Sequence, residues 1–351
     1  MTRIQKPLWW LNIFLAFATL LSYLAPLINP QEVWQASFMG LAYPTLLWGN
    51  IFFLGLWLVT KRKWAWLPFI TILLGWTSLR SLVAMGGGDN PKQELSEIQV
   101  LSYNTNFFGK IMRGYSKSER KENLLALKEF LQDQKANLIC IQEFPDDEFY
   151  GTRDSTFFPG YSRAITPTGS IFSKWEILDH QAAFFQKSGN GYVWADIKTD
   201  QDTIRVFNVH LQSNSISQQT NDLEVSDLPE QKTWATIKNI LAKVNSRTLK
   251  RVDQAEQLKA MMQASPHPIL LTGDLNNTAQ SYIYRLLSKG LVDSFRESGW
   301  GVGSTYAGKI PGLRIDFIFS DPNSFNVISS EVLEVDHSDH YPLLSVFQIR
   351  P

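Results

Sequence analysis

The 351-residue sequence predicts two units: an N-terminal bundle of three membrane-crossing helices over residues 1–85, and a mixed α/β domain over 97–351, joined by a linker at 86–96. Three observations carry this prediction. The first third contains long stretches almost free of charge. The remainder alternates short β-branched and aromatic runs with helix-like segments. Six polar signatures follow the ends of those runs in a fixed order.

Leu8 to Ile28 is 21 residues without a charge, and Val33 to Thr60 is 28. Trp64 to Leu79 adds 16 before Arg80, with Ser81 to Met85 continuing apolar. A bilayer core takes about 20 mainly apolar residues per helix, so spans are expected at about 8–28, 34–60 and 64–85. Arg80 lies where its side chain can snorkel to the interface. Tryptophans such as Trp9, Trp34 and Trp64 sit near span ends, as in an interfacial belt. A cleaved signal peptide is disfavoured, because its apolar core is usually about 7–15 residues and two more spans follow here. Arg3 and Lys6 precede the first span and Lys61-Arg62-Lys63 fill the second loop, whereas Asn29 to Glu32 has no base. The positive-inside rule then places the N-terminus and the Lys-Arg-Lys loop in the cytoplasm. The expected location is the inner membrane, multi-pass, with everything after Met85 extracytoplasmic. Gly86-Gly87-Gly88-Asp89-Asn90-Pro91 reads as a flexible linker.

In the second unit, Ile98–Tyr103, Leu138–Gln142, Tyr192–Lys198, Ile204–Val209, Ile269–Thr272, Ile315–Phe319 and Leu343–Ile349 read as strands. Ser116–Lys135 reads as a helix, with Ser116 and Glu119 as a capping box and an apolar stripe at Leu124, Leu127 and Leu131. Pro229–Ala264 suggests two further helices, and Ala279–Lys289 a short one ended by Gly290.

The formal charge of zero divides unevenly. Residues 1–96 hold seven bases and three acids, leaving 26 bases against 30 acids in the rest, a net of −4. A domain gripping long DNA through its phosphates is usually basic, which counts against a processive nuclease. The one cysteine, Cys140, lies in an apolar run as a small buried hydrophobe and excludes an intrachain disulfide.

The six signatures are Ser102-Tyr103-Asn104, Ile141-Gln142-Glu143, Asn208-Val209-His210, Gly273-Asp274-Leu275-Asn276, Arg314-Ile315-Asp316 and Ser338-Asp339-His340. Their amides, carboxylates and imidazoles suit a hard divalent cation together with a phosphoryl group. Singly, each has an ordinary reading: Asn104 or its neighbour Asn106 as a turn residue, Glu143 as a surface acid, His210 as a packed strand end. Rigid strand ends can bring such groups together at one rim. His340 with Asp316 reads as an acid–base pair, the carboxylate fixing the imidazole tautomer and raising its pKa. His337, three residues earlier, is the other histidine of this run.

In order and context these signatures resemble the endonuclease/exonuclease/phosphatase superfamily, in its deoxyribonuclease I and neutral sphingomyelinase-like branches, over Glu97 to Pro351. The resemblance implies a four-layer sandwich: two packed sheets flanked by helices. It implies Mg²⁺ or Mn²⁺ held at Glu143 and Asn104, with Asp339 beside metal-bound water. It places Asp274 near the attacking water, Asn276 on a phosphate oxygen and His210 at the scissile phosphate or leaving oxygen. It matches His340, not His337, to the family's Ser-Asp-His-x-Pro pattern. Ser170 to Lys174 resembles a supporting strand. Asn208 and Gln212 are expected at the rim near His210, and Arg251 and Gln254 on a solvated helix face. Tyr306 and Lys309 are substrate-selectivity candidates on the loop before Asp316.

The expected function is a membrane-anchored, Mg²⁺-dependent phosphoric-ester hydrolase, with phosphodiesters favoured. Its partners are the lipid bilayer and a phosphate-ester substrate: nucleic acid, phospholipid or small ester. The rival is a membrane-tethered binding module with the same fold and no chemistry. Whether Asp274 or His340 is the base stays open in the sequence.

Overall fold

The computed structural model describes residues 5–88, 96–145, 157–213, 230–308 and 312–350. The N-terminal region is helical: α1 (Gln5–Ser22), α2 (Gln35–Thr60), α3 (Trp66–Leu74) and α4 (Trp76–Leu82). Two stretches are long and apolar enough to cross a membrane, Gln5–Leu27 and Gln35–Thr60. The third expected span is not one helix. It breaks at Gly75, where the Tyr23 ring fills the space a Cβ would need and the Tyr23 hydroxyl donates to Thr71 O at 2.9 Å. Buried polar residues knit the bundle: Trp57 Nε1 donates to Asn12 Oδ1 at 2.9 Å, and Asn50 Nδ2 to Thr19 Oγ1 at 2.8 Å.

The linker expectation also needs correction. The chain leaves α4 at Leu82 and forms a two-residue strand, β1 (Ala84–Met85), paired with β11 (Trp300–Gly301). Gly86 and Gly88 donate to the carbonyls of Gly299 and Glu297. The first glycines therefore lie on the second domain rather than in a free tether, while 89–95 fall outside the described residues.

Among the described residues, that domain holds two six-stranded sheets. The first has the order β13 (Phe325–Val332), β14 (Leu343–Ile349), β2 (Glu97–Asn104), β3 (Leu138–Gln142), β5 (Gly169–Ser173), β4 (Ser162–Thr166). The second has the order β10 (Val292–Asp293), β12 (Asp316–Ser320), β9 (Ile269–Asp274), β8 (Thr203–His210), β7 (Gly191–Lys198), β6 (Glu176–Phe184). Each sheet has one parallel pair, β2 with β3 and β8 with β9. A parallel pair requires a crossover. The helix α5 (Lys117–Asp133), with the expected capping box on Ser116, belongs to the first, and one continuous helix, Glu230–Gln263, to the second. The two helices expected over 229–264 are thus one, as no glycine or proline interrupts residues 230–263.

Side chains alternate along each strand. Val100, Leu138, Cys140, Val206, Leu270 and Ile318 point between the sheets. Phe207, Leu271 and Phe317 face Val252, Leu258 and Leu287 on one outer layer, while Leu101, Ile139 and Ile141 face Leu127 and Leu131 on the other. This is the two-sheet sandwich flanked by helices that the sequence resemblance implied.

Candidate active site

The inward column of each central strand turns from apolar to polar as it nears one rim. Along β2 it reads Ile98, Val100, Ser102, Asn104; along β3, Leu138, Cys140, Gln142; along β8, Ile204, Val206, Asn208, His210; along β9, Leu270, Thr272, Asp274. Strand register aligns these ends. His210 pairs with Asp274 across the parallel β8–β9 ladder, and Asp274 with Asp316 across the antiparallel β9–β12 ladder. Three candidate residues therefore stand in one row across a sheet. Asn104 at the tip of β2 reaches them from the other sheet, its Nδ2 donating to Asp274 Oδ2 at 3.1 Å.

Asp274 is the centre of the cluster. Its Oδ2 also accepts from Asn276 Nδ2 at 3.0 Å, and its Oδ1 from the Asn276 backbone N–H at 2.7 Å. His210 Nε2 lies 3.6 Å and His340 Nε2 3.8 Å from the same Oδ2. Gly273 permits this placement: a Cβ there would fall 2.0 Å from Val209 O, and its φ is +131°. His340 Nδ1 and Asp316 Oδ2 are 2.9 Å apart, and Thr305 Oγ1 accepts from the Asp316 N–H at 3.0 Å. Glu143 leaves β3 at φ +51° and sets its Oε1 3.4 Å from His210 Nε2. Asn276 is likewise left-handed at φ +49°. Such conformations cost energy and persist where surrounding contacts enforce them.

Burial raises the Glu143 carboxyl above its ordinary range. Asp274 is pushed up to about 6, by burial first and by Asp316 second. Burial pulls the His340 imidazole down, but Asp316, Asp274 and Asp339 outweigh it and hold the ring up at about 10. Burial lowers His210.

Crowded, desolvated carboxylates of this kind suit a divalent cation. Asp316 Oδ1 is buried with no hydrogen-bond partner among the described residues. Asp274, Asp316 and His340 bring potential ligand atoms within 4.8 Å of one another. The Glu143 carboxylate, in contact with His210, lies beside this group.

Asp339 is half-buried beside the cluster, and Tyr306 forms a β-bridge with His340, ring against ring at 5.7 Å. Lys309 lies outside the described residues. The backbone N–H of Asn106 donates to Asn104 Oδ1 at 3.0 Å, orienting that amide. His337 rests on Phe130. Asn208 is not a rim residue. It is fully buried one layer below His210, its Nδ2 bonded to Ile141 O and Ser170 O and its Oδ1 accepting from Gln142 Nε2 at 2.6 Å. Arg251 and Gln254 are buried rather than solvated, holding Gln212 O and Gln212 N at 2.7 and 2.8 Å. Asn190, absent from the sequence reading, sets its Nδ2 3.0 Å from His210 Nδ1. Its Ser188-Gly189-Asn190 turn carries no signal beyond an ordinary hairpin.

Residues 101–340 match the Endonuclease/Exonuclease/phosphatase family. The chain belongs to this family. Members are hydrolases of phosphoester bonds and are typically dependent on a divalent metal. Residues 5–82 match a domain of unknown function, DUF8431. Among solved structures, an endonuclease/exonuclease/phosphatase family protein from Bacteroides thetaiotaomicron is 18% identical, with a TM-score of 0.51 over 74% of this chain and 100% of that one. A humanized D. rerio TDP2 is 14% identical, with a TM-score of 0.51 over 72% and 98%. The human Nocturnin catalytic domain with bound sulfate is 15% identical, with a TM-score of 0.51 over 72% and 95%. At these identities the likeness concerns the fold. No curated protein matches the chain.

Proposed function

We propose that this family member is a membrane-anchored, Mg²⁺-dependent phosphoric-ester hydrolase, acting on diesters in preference to monoesters, with its catalytic domain extracytoplasmic. The observation that carries the reading is the convergence of Asn104, Glu143, His210, Asp274, Asn276, Asp316 and His340 at one polar rim of an apolar sandwich.

Glu143, with Asn104 and Asp339 nearby, would hold Mg²⁺, which supplies Lewis-acid polarisation of a phosphoryl oxygen when bound. Asp274, with a pKa near neutral, accepts the proton of the attacking water. His340, kept charged by Asp316, faces the developing negative charge together with the Asn276 amide. His210, neutral through burial, stands at the leaving-group side. Tyr306 flanks His340 at the mouth and makes a selectivity contact there. The binding-module rival loses ground because strained and desolvated groups serve no obvious purpose in passive binding.

The anchoring reading is supported by how the bundle meets the domain. The first loop and the end of α4 touch it, whereas the Lys-Arg-Lys turn lies at the other end of α2. Three passes, the last through the broken α3–α4 pair, produce that arrangement.

The test is turnover of bis(p-nitrophenyl) phosphate and p-nitrophenyl phosphate by the full chain. Activity should vanish in EDTA and return with Mg²⁺, and Glu143→Gln should lower it by on the order of 10²-fold or more at unchanged melting temperature. Full activity in chelator would refute the metal-dependent reading, and no turnover of any ester would favour the binding module.

A further inference from the structure

We infer that the N-terminal helices buttress the catalytic rim, and that Gln280 and Arg314 are positioning residues through which they do so. The inference rests on the hydrolase reading for its catalytic consequence, though not for its geometry.

Two loops leave the rim toward the bundle. The first runs from Asp274 through Asn276 to Gln280, which is 4% exposed. Gln280 Nε2 donates to Ser78 O at 2.9 Å and also to Ser81 Oγ, both on α4. Its own carbonyl lies against Gly40 of α2 so closely that a Cβ there would sit 2.2 Å from the oxygen. The second loop leads into β12. Arg314, two residues before Asp316 and 5% exposed, places Nη1 on both oxygens of Asp293 and donates from Nη2 to Ser81 O at 3.1 Å. Its guanidinium also covers the Phe317 ring at 4.7 Å. The loops are tied to each other, with the Leu275 N–H donating to Ile315 O at 2.9 Å.

Ser81 is therefore a hub. Its hydroxyl holds one loop and its carbonyl the other. Directional hydrogen bonds in a water-poor contact fix position more tightly than apolar packing does, because a displaced partner leaves a buried polar group unpaired. The braced loops carry Asp274, Asn276 in its left-handed conformation, and Asp316. A strained rim needs outside support to keep its shape, and misplacement of reacting groups by about 1 Å can cost about 10²-fold in rate. Gln280 and Arg314 touch no reacting atom themselves; they act through the loops. The helical region is, on this reading, part of the working enzyme and not only its tether.

The test uses the full chain in detergent with Mg²⁺ and bis(p-nitrophenyl) phosphate. Gly40→Leu wedges α2 away from Gln280. Gly55→Leu, at a site with open space around it, is the control. Gln280→Ala is a milder second variant should the wedge fail to fold. Hydrogen exchange over 275–281 reports undocking independently of activity. Gly40→Leu should raise exchange there and lower kcat by about 10-fold or more, with KM and melting temperature little changed. Gly40→Ala and Gln280→Ala should fall between it and wild type, and Gly55→Leu should match wild type. Faster exchange with full kcat would overturn the positioning role. Unchanged exchange and unchanged kcat would overturn the contact itself. A drop confined to KM or to melting temperature would reduce the contact to substrate access or stability. A wild-type protein that hydrolyses no ester, yet shows the exchange difference, would sink the hydrolase reading and leave the docking intact.

Discussion

Asp274 meets Asn104, Asn276, His210 and His340 at once, so its protonation state governs the whole cluster. Its pKa is raised from 3.8 to about 6, which means the folded, metal-free protein binds this proton more tightly than the unfolded chain does. Between those values the group's contribution to stability falls as pH rises. A cation seated at Glu143 favours the ionised form of this neighbouring carboxylate, so Mn²⁺ should bind more weakly at pH 5 than at pH 7.5, by about 10-fold if the proton is fully displaced. Calorimetric titration at the two pH values checks this, and equal affinities would remove Asp274 from the metal's surroundings. His340 and Asp316 form one unit, so His340→Ala, Asp316→Ala and the double variant should lose activity by similar factors, on the order of 10²–10⁴. His337→Ala, altering a ring that packs on Phe130, should stay within a few-fold of wild type. Multiplying losses from the pair would show that the histidine acts alone. At this scale the sequence was informative because the candidates sit at strand ends inside short signatures. Asn190 was hidden because only the folding of a separate hairpin brings it to His210.

The strands and helices that make the rim were legible where their pattern was local. The capping box on Ser116 and the run Leu138–Gln142 fell where alternation and capping chemistry place them. Strands β4, β6, β10 and β13 escaped notice: β6 is an edge strand with no buried residue and a register shift, and β13 carries a bulge. The break at Gly75 depends on Tyr23, more than fifty positions away, so no window on the third apolar stretch reveals it. Asn208 was misplaced for a similar reason. Its neighbours suggested the rim, but β8 alternation sends it between the sheets with Val206 and His210. There it bonds two carbonyls and the Gln142 amide. Asn208→Ala leaves several buried groups unpaired and should destabilise the protein by about 3 kcal/mol, measured as a shift in the urea midpoint. A change below about 0.5 kcal/mol, the range of ordinary surface substitutions, would show that water replaces the amide.

The pairing of twelve strands into two sheets was not readable from periodicity, since which strands become neighbours is decided by long-range contacts; the resemblance to a known family supplied it. The contact between bundle and domain left no trace in the sequence beyond a glycine and two serines. It does make a topological demand: the first loop and the end of α4 must lie on the same side as the rim. Alkaline phosphatase joined after Gly88 should be active in cells, and the same reporter joined at Lys63 silent, consistent with the basic residues around position 62. Two silent reporters would mean that α3 and α4 together fail to cross, and the reverse pattern that the whole bundle is inverted. The thiol of Cys140 has a use that follows from its place between the sheets. Burial pushes it up to about 12, so in the native protein it is neither ionised nor reachable. An alkylating reagent can meet it only when the two sheets part, which makes labelling of the unmodified chain a clock for whole-domain opening. Every cysteine introduced elsewhere then becomes a uniquely addressable handle, with no native thiol to remove first.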